Sequence, residues 1–108
     1  MKIGILGGTG LEGKGLALRL GLAGFSVKIG SRIRSQALRK AQELQRELKI
    51  HGSTVHFYGQ ENCEIVKTSE LIFLAVPFER ATGLLRECRP FFREGQIIVD
   101  VTVPLQFR

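Results

Sequence analysis

Hydrophobic residues along this chain alternate between two periodicities, one typical of strands and the other of helices. Five short apolar runs have the length and composition of buried strands: 2–6, 26–30, 54–58, 71–76 and 96–101. Between most of them, apolar positions recur three or four residues apart, as on the buried face of a helix. The predicted helix faces are Leu16, Leu20 and Ala23; Ala37, Ala41, Leu44 and Leu48; and Ala81, Leu84, Leu85 and Cys88, with a short helix over 61–67.

Strands that alternate with helices of this length predict an α/β fold, because parallel strands need a crossover and such crossovers are right-handed. The expected architecture is a Rossmann-type, doubly wound parallel sheet of about five strands in the order 3-2-1-4-5. A complete fold of this type has a sixth strand, whereas this chain of 108 residues stops just after the fifth. We therefore expect residues 1–108 to form one domain that lacks the sixth strand and the C-terminal part.

Capping residues indicate where the helices begin and end. Gly24 follows the first helix, at a position where helix C-caps favour glycine. Ser31 suits the N-cap of the second helix, with Ser35 as an alternative start. Pro90 is expected to end the last helix.

A glycine-rich turn joins the first strand to the first helix. Gly8, Gly10 and Gly13 fit G-x-G-x-x-G, in the strand–turn–helix context that this fingerprint requires. Gly8 would permit the tight turn, Gly10 the close approach of a pyrophosphate, and Gly13 the packing of helix on sheet. Free N–H groups at the helix start favour the diphosphate. The sequence predicts a dinucleotide site here; a turn without a ligand is the alternative interpretation.

The end of the second strand indicates which dinucleotide. A site for NAD would carry Asp or Glu there, on the ribose 2′-hydroxyl, but residues 14–41 contain no carboxylate. A serine hydroxyl and a guanidinium suit a 2′-phosphate instead. We therefore predict that Ser31 and Arg32 bind NADP(H), with Arg34 close enough to help. A helix cap at Ser31 and a solvated Arg32 are the alternative.

The nicotinamide is expected at the carboxyl ends of the fourth and fifth strands, where ligands of such sheets bind. Val76, Phe78 and Val103 would offer apolar contacts to the ring, although each also suits a core or turn position. No His, Cys, Lys or pair of carboxylates falls at these strand ends, so no catalytic residue is predicted. Hydride exchange between two redox cofactors needs none, because the cofactors carry the chemistry.

Charge and composition limit the kinds of partner that this chain is expected to bind. The net charge of +6 favours anionic partners, but the basic residues alternate with glutamates along the second predicted helix, as on solvated faces. Without a recognition helix or an RNA-binding aromatic signature, no nucleic acid partner is expected. No apolar run approaches the roughly 20 residues that cross a bilayer, and no signal-peptide pattern is present. We expect a cytoplasmic protein away from the membrane.

Cysteines and histidines suggest no metal chemistry. Cys63 and Cys88 are isolated and belong to no CxxC pair, so we expect them to be reduced, small apolar residues. His51 and His56 lack the spacing of metal ligands, and no metal is expected.

Three segments together resemble the NADPH-dependent reductases of the deazaflavin coenzyme F420: 1–10 (MKIGILGGTG), 13–20 (GKGLALRL) and 29–32 (IGSR). The likeness continues more loosely through 76–78 to 100–104. It implies reversible hydride transfer between NADP(H) and the deazaflavin. It also implies that Thr9, Gly10, Leu11 and Glu12 lie at the cofactor phosphates, Ser31 and Arg32 at the 2′-phosphate, and Phe78 and Val103 beside the nicotinamide.

This resemblance covers nearly all of the chain but only the first half of a family member. Members often carry a basic residue one helical turn past Gly-Ser-Arg, where this chain has Gln36; Arg34 would compensate. The chain is then an enzyme or part of one. A cofactor-binding module such as an NADP sensor stays open, as does reduction of another substrate, for example a ferric centre or an imine. An exposed edge at the fifth strand would pair with another chain, so we expect a homo-oligomer.

Overall fold

A parallel sheet forms the centre of the molecule in a computed structural model, which describes residues 1–8 and 10–101. The strands are β1 (Ile3–Leu6), β2 (Val27–Ser31), β3 (Phe57–Glu61), β4 (Leu71–Leu74) and β5 (Ile97–Asp100). They lie in the order β3-β2-β1-β4-β5, and each neighbouring pair is parallel. The predicted fold class and strand order are confirmed.

Helices cover both faces of this sheet. They are α1 (Leu11–Leu22), α2 (Arg34–Ile50), α3 (Asn62–Thr68) and α4 (Phe78–Cys88). A 3-10 turn, Arg89–Phe91, follows α4 and contains Pro90, as expected of a residue that ends a helix. None of the described helices is long and apolar enough to cross a membrane.

Two apolar layers hold the helices to the sheet. Ile3 and Ile5 of β1 belong to the layer that includes α1 and α2, whereas Leu6 belongs to the layer with α3 and α4. This division follows from the alternation of side chains along a strand. Because both layers are apolar, the sheet is buried on both faces except at its edges, where β5 exposes Ile97 and Ile98.

Helix α1 approaches the sheet through small residues. Its buried residues are Gly13, Ala17 and Gly21. The predicted buried face is therefore right only in part: Leu16 and Leu20 are partly buried and pack against the layer, whereas Ala23 is exposed. A Cβ at Gly21 would stand 2.8 Å from Leu48 Cδ1, so the close approach of the helix requires residues without large side chains. Hydrophobic periodicity alone does not reveal a face made of glycine and alanine.

The helix ends match the prediction at one position and differ at another. Gly24 follows the last turn of α1 with φ of +98°, which confirms the predicted C-cap. Helix α2 instead begins at Arg34 with Ile33 as its N-cap. The N-cap role predicted for Ser31, or for Ser35, is wrong, because Ser31 ends β2 and Ser35 already lies within the helix.

Strand β3 begins three residues later than predicted. The side chain of Gln45 on α2 explains the shift, since its Nε2 donates to the carbonyl oxygen of Val55 (2.7 Å) and its Oε1 accepts from the N–H of Phe57 (2.7 Å). These bonds tie the chain before Phe57 to the helix, and pairing with β2 starts only there.

Cys63 and Cys88 form a disulfide, with their Cα atoms 4.9 Å apart. The prediction that both are reduced is wrong. The residues lie 25 positions apart in sequence, and the packing of α3 against α4 brings them together, which no local motif indicates. The bond joins the first turn of α3 to the last turn of α4.

Candidate functional site

A cleft of about 500 Å³ opens at the carboxyl ends of β1, β2 and β4. This is the edge of the sheet where ligands of doubly wound folds bind, beside the switch in strand order. One wall is formed by the turn after β1 and the end of β2, and the other by α3 and α4. Its lining residues are Gly7, Gly10, Ser31, Arg32, Gln36, Asn62, Val76, Pro77, Arg80, Gly83, Leu84 and Glu87.

Two hydrogen bonds anchor the start of the glycine-rich turn. The N–H of Gly8 donates to the carbonyl oxygen of Gly30 on β2 (2.9 Å), and the N–H of Gly7 donates to Asn62 Oδ1 (3.1 Å). Gly7 has φ of +71° whereas Gly8 has no positive φ, so the tight-turn role predicted for Gly8 belongs to Gly7. Asn62 is 4% exposed, and the sequence offers no sign of its role, because it joins the turn only through the tertiary fold.

Close packing accounts for the last glycine of the motif. A Cβ at Gly13 would stand 2.5 Å from the Cα of Gly8, which is closer than two such atoms can approach. The helix therefore begins directly against the turn, as predicted for Gly13. At Gly10, the N-cap of α1, no side chain makes a capping hydrogen bond. The first N–H groups of the helix, which have no partner within it, lie at the side of the cleft that Gly10 lines.

The end of β2 and the first turn of α2 bring a hydroxyl, a guanidinium and an amide to the same wall. Ser31 is 5% exposed; its Oγ accepts from the N–H of Ile33 (3.2 Å) and lies 3.4 Å from Gln36 Oε1. Arg32 is exposed and lines the cleft. Gln36 takes the lining position beside them, whereas Arg34 lines neither cavity.

A second, smaller cavity of about 250 Å³ lies next to the first. Gly10 and Pro77 line both, so the two cavities are adjacent. The smaller cavity is flanked by two exposed apolar side chains, Leu11 (88% exposed) and Phe78 (53% exposed). Its remaining lining residues are Glu12, Ala75 and Glu79.

Most of the predicted site residues thus border one of two adjacent cavities. Gly10, Ser31, Arg32 and Val76 line the larger cavity, and Leu11, Glu12 and Phe78 line the smaller one with Gly10. Gly8 and Gly13 lie behind the wall as packing residues. Thr9 and Val103, also predicted at the site, lie outside the described residues.

Sequence reasoning missed the opposite wall of the larger cavity. Helix α4 contributes Arg80, Gly83, Leu84 and Glu87 to it. A glycine inside a helix is the one signal that could have drawn attention to this segment, because glycine destabilises a helix interior by about 1 kcal/mol relative to alanine.

Comparison with known proteins was made on sequence and on structure. Residues 2–104 match the family "NADP oxidoreductase coenzyme F420-dependent". The F420-dependent NADP reductase of Methanothermobacter marburgensis is 38% identical over 97% of this chain and 46% of its own length. The reductase of the same description from Methanocaldococcus jannaschii is 36% identical, with the same coverage. The chain therefore spans about half the length of the curated relatives it matches.

A solved structure gives the same result for the fold. The protein, from Arthrobacter sp. FB24 and provisionally described as an F420-dependent NADP reductase, is 29% identical and superposes with a TM-score of 0.74. The alignment covers 99% of this chain and 47% of that one.

Proposed function

The chain belongs to the family of F420-dependent NADP oxidoreductases, and from this premise we propose that it binds NADP(H) along the two cavities and serves hydride transfer between the nicotinamide and coenzyme F420. The observation that carries the proposal is the meeting of the glycine turn and the Ser31–Arg32 pair on one wall of a single cleft. The two parts would recognise different groups of the same cofactor, the pyrophosphate and the 2′-phosphate.

The pyrophosphate would lie at the start of α1. Gly10 leaves the helix N-terminus without a side-chain cap, and its absent Cβ would meet nothing closer than Gly7 O at 3.9 Å. A diphosphate can therefore approach the backbone closely there. Unpaired N–H groups and the positive end of the helix dipole attract such an anion.

The 2′-phosphate would lie at Arg32 and Ser31. Among the residues that the structure describes, no carboxylate forms an ion pair with Arg32, so its guanidinium is available for bidentate binding of a phosphate. The Ser31 hydroxyl is held at the same wall by Ile33 and Gln36. A cation beside a neutral hydroxyl, where NAD sites carry a carboxylate, favours the phosphorylated cofactor.

The nicotinamide end would lie in the smaller cavity. Leu11 and Phe78 provide exposed apolar surfaces in its lining, which would contact the ring and help to keep water away from the transferred hydride. When bound, the two cofactors supply the hydride donor and acceptor themselves. The chain's own part in the reaction is then to align them and to exclude water.

Hydride transfer is tested by mixing the full chain with NADPH and oxidised F420 and following loss of the deazaflavin absorbance. Catalysed, protein-dependent bleaching that requires NADPH supports the proposal. Tight binding of NADPH without any bleaching would contradict hydride transfer. The chain would then be a cofactor-binding module without catalytic activity. A parallel assay with ferric iron in place of F420 would detect reduction of this alternative substrate.

Self-association is also part of the proposal. The edge strand β5 exposes Ile97 (57%) and Ile98 (45%), and an exposed apolar edge strand favours pairing with another chain. Sedimentation velocity at several concentrations would detect a homo-oligomer, whereas a monomer throughout would contradict it.

Two further predictions concern the surroundings of the protein, a cytoplasmic location and the absence of a nucleic acid partner. The Cys63–Cys88 disulfide provides a check on the first, because the cytosol of most cells keeps thiols reduced. Thiol alkylation at the moment of cell lysis would report which state the cell maintains. Gel-shift titration with duplex DNA and single-stranded RNA would test the predicted absence of a nucleic acid partner.

A further inference from the structure

The Cys63–Cys88 disulfide joins the two helices that form one wall of the larger cavity. Cys63 is in the first turn of α3, and Cys88 is in the last turn of α4. In sequence, each cysteine directly follows a residue that lines this cavity, Asn62 in one case and Glu87 in the other. The covalent bond therefore lies next to two residues that border the cleft.

The two ends of α3 are held in different ways. At its C-terminal end, Lys28 Nζ donates to the carbonyl oxygen of Thr68 (3.1 Å), and Gln96 Nε2 donates to that of Val66 (2.6 Å). Besides apolar packing, the first turn is tied to other elements by the hydrogen bond of Asn62 to the glycine-rich turn and by the disulfide. Because a helix of seven residues is too short to be stable by itself, its first turn depends on these ties.

Asn62 connects the first turn of α3 to the glycine-rich turn. Its Oδ1 accepts from the N–H of Gly7 at 3.1 Å, and both residues line the larger cavity. The Asn62 residue is 4% exposed, so little space is left for its side chain to follow Gly7 if the helix moves. A change in the position of this first turn therefore acts directly on the glycine-rich turn.

The two cysteines differ in their exposure. Cys88 is fully buried in the apolar layer, whereas Cys63 is partly exposed. A thiolate must reach the sulfur that it attacks, so exchange with a reagent begins at Cys63. In a compartment that keeps thiols reduced, such as the cytoplasm expected for this chain, a disulfide usually serves catalysis or redox sensing.

We propose that Cys63–Cys88 is a redox switch: its disulfide form holds the cleft ready for NADP(H), and reduction by a dithiol weakens cofactor binding through Asn62. One thiolate of the dithiol attacks Cys63 Sγ, and Cys88 leaves and takes up a proton. The second thiol of the reagent then breaks the mixed disulfide. Two electrons and two protons pass to the protein, and the reagent becomes a disulfide. The inference rests on the proposed binding of NADP(H).

The first test compares NADPH binding by the oxidised chain and by the chain reduced with dithiothreitol, using calorimetry. We expect reduction to raise the dissociation constant by about fivefold or more, as is typical of coupled sites, and reoxidation to restore it. The chain has two cysteines in all, so Cys63→Ser/Cys88→Ser should bind as weakly as the reduced chain, with or without dithiothreitol. Equal affinity of the oxidised and reduced chains would overturn the switch and leave cofactor binding intact.

A second test uses the reciprocity of the coupling, since NADPH must favour the disulfide by the factor by which the disulfide favours NADPH. The chain is equilibrated in a fixed mixture of reduced and oxidised dithiothreitol, with and without saturating NADPH. Acid quenching, alkylation and mass spectrometry then measure the ratio of disulfide to dithiol. We expect NADPH to raise this ratio by the same factor, and an unchanged ratio would contradict the coupling.

Asn62→Ala tests the route of the coupling. The variant lacks the bond to the turn in both redox states, so reduction should change its NADPH affinity by less than about twofold. A loss as large as in the unchanged chain would overturn the role given to Asn62. Hydrogen exchange gives a readout without cofactor: the amide of Gly7 should exchange several-fold faster after reduction. The amide of Gly24, which bonds to Gly21 O at the far end of α1, is the control and should not change.

The outcomes separate the switch from the proposed function. If neither the oxidised nor the reduced chain binds NADPH, the proposed function fails, and the switch fails with it. Far-UV circular dichroism of the reduced chain should match that of the oxidised chain. If reduction instead abolishes this signal, the loss of affinity is global unfolding, and local coupling through Asn62 is wrong.

Discussion

The two walls of the cleft are built in different ways. The wall made by the β1–α1 turn and the end of β2 is local in sequence, lying within residues 7–36, and much of what it offers a ligand is backbone N–H. The wall made by α3 and α4 draws on residues from 62 to 87 and offers side chains. A backbone site demands glycine at fixed spacing, whereas a side-chain wall can be built from many sequences. This difference explains why a motif predicts one wall and not the other.

The largest expected effect concerns the disulfide behind the α3–α4 wall. Closing a loop of about 25 residues stabilises a fold by about 3 kcal/mol through the entropy of the unfolded chain. We expect reduction, or the double change of Cys63 and Cys88 to alanine, to lower the free energy of unfolding by about that amount. Urea denaturation with and without dithiothreitol measures it. An identical midpoint in both states would show that the wall does not depend on this bond.

Gly13→Ala tests the other wall at its tightest point. The new Cβ would stand 2.5 Å from Gly8 Cα, and backbone on both sides leaves no flexible atom to move. Overpacking of this kind costs about 1–3 kcal/mol. Gly15→Ala, two residues away on the same helix, should instead stabilise the fold by up to about 1 kcal/mol. Thermal unfolding of the two variants measures both effects on stability. Equal shifts of the melting temperature would contradict the packing assigned to Gly13.

Asn62 connects the two walls, since it lies on α3 and accepts from the N–H of Gly7. Asn62→Ala leaves that N–H without its partner, which costs about 1–3 kcal/mol when the group is buried. Asn62→Asp keeps an acceptor but adds a negative charge beside the proposed phosphate site. We expect the alanine variant to lose more stability than the aspartate variant, and the aspartate variant to lose more NADPH affinity. If unfolding and binding titrations instead showed the aspartate variant losing more stability and the alanine variant losing more NADPH affinity, the role assigned to Asn62 at the turn would be contradicted.

A smaller effect is expected from adding charge to the local wall. Gln36 lines the cleft beside Ser31 and Arg32, so a basic side chain at this position would lie near the proposed 2′-phosphate. Gln36→Lys should tighten NADPH binding by a few-fold, or about 0.5–1 kcal/mol, as expected of a partly exposed ion pair. The gain should decline as salt rises. Gln45→Lys, on the same helix but outside the cleft, is not a suitable control because the Gln45 side chain holds β3 in place. Arg39→Gln, which changes the charge at an exposed position, is a better control.

The same contrast between a wall that is local in sequence and one that is not explains which features the sequence predicts. The strand order follows from the alternation of apolar runs. The role of Gly24 follows from a positive φ that glycine adopts easily, and the role of Gly13 from the absence of a Cβ where the helix meets the turn. The buried face of α1 could not be read from periodicity, because Gly13, Ala17 and Gly21 carry too little apolar surface to mark it. Asn62, the disulfide and the α4 wall depend on contacts between residues far apart in sequence, which composition and spacing do not encode.

The most direct test of the account is the preference for NADPH over NADH, measured with the unchanged chain, Arg32→Ala and Arg39→Ala. Arg39 is exposed and lines neither cavity, so its change removes the same charge away from the cleft. A charged hydrogen bond to the 2′-phosphate contributes about 1.5–3 kcal/mol. We predict that Arg32→Ala weakens NADPH by about tenfold or more, leaves NADH unchanged, and that Arg39→Ala alters neither. Equal affinity of the unchanged chain for NADPH and NADH would contradict the assignment of this cleft to NADP(H).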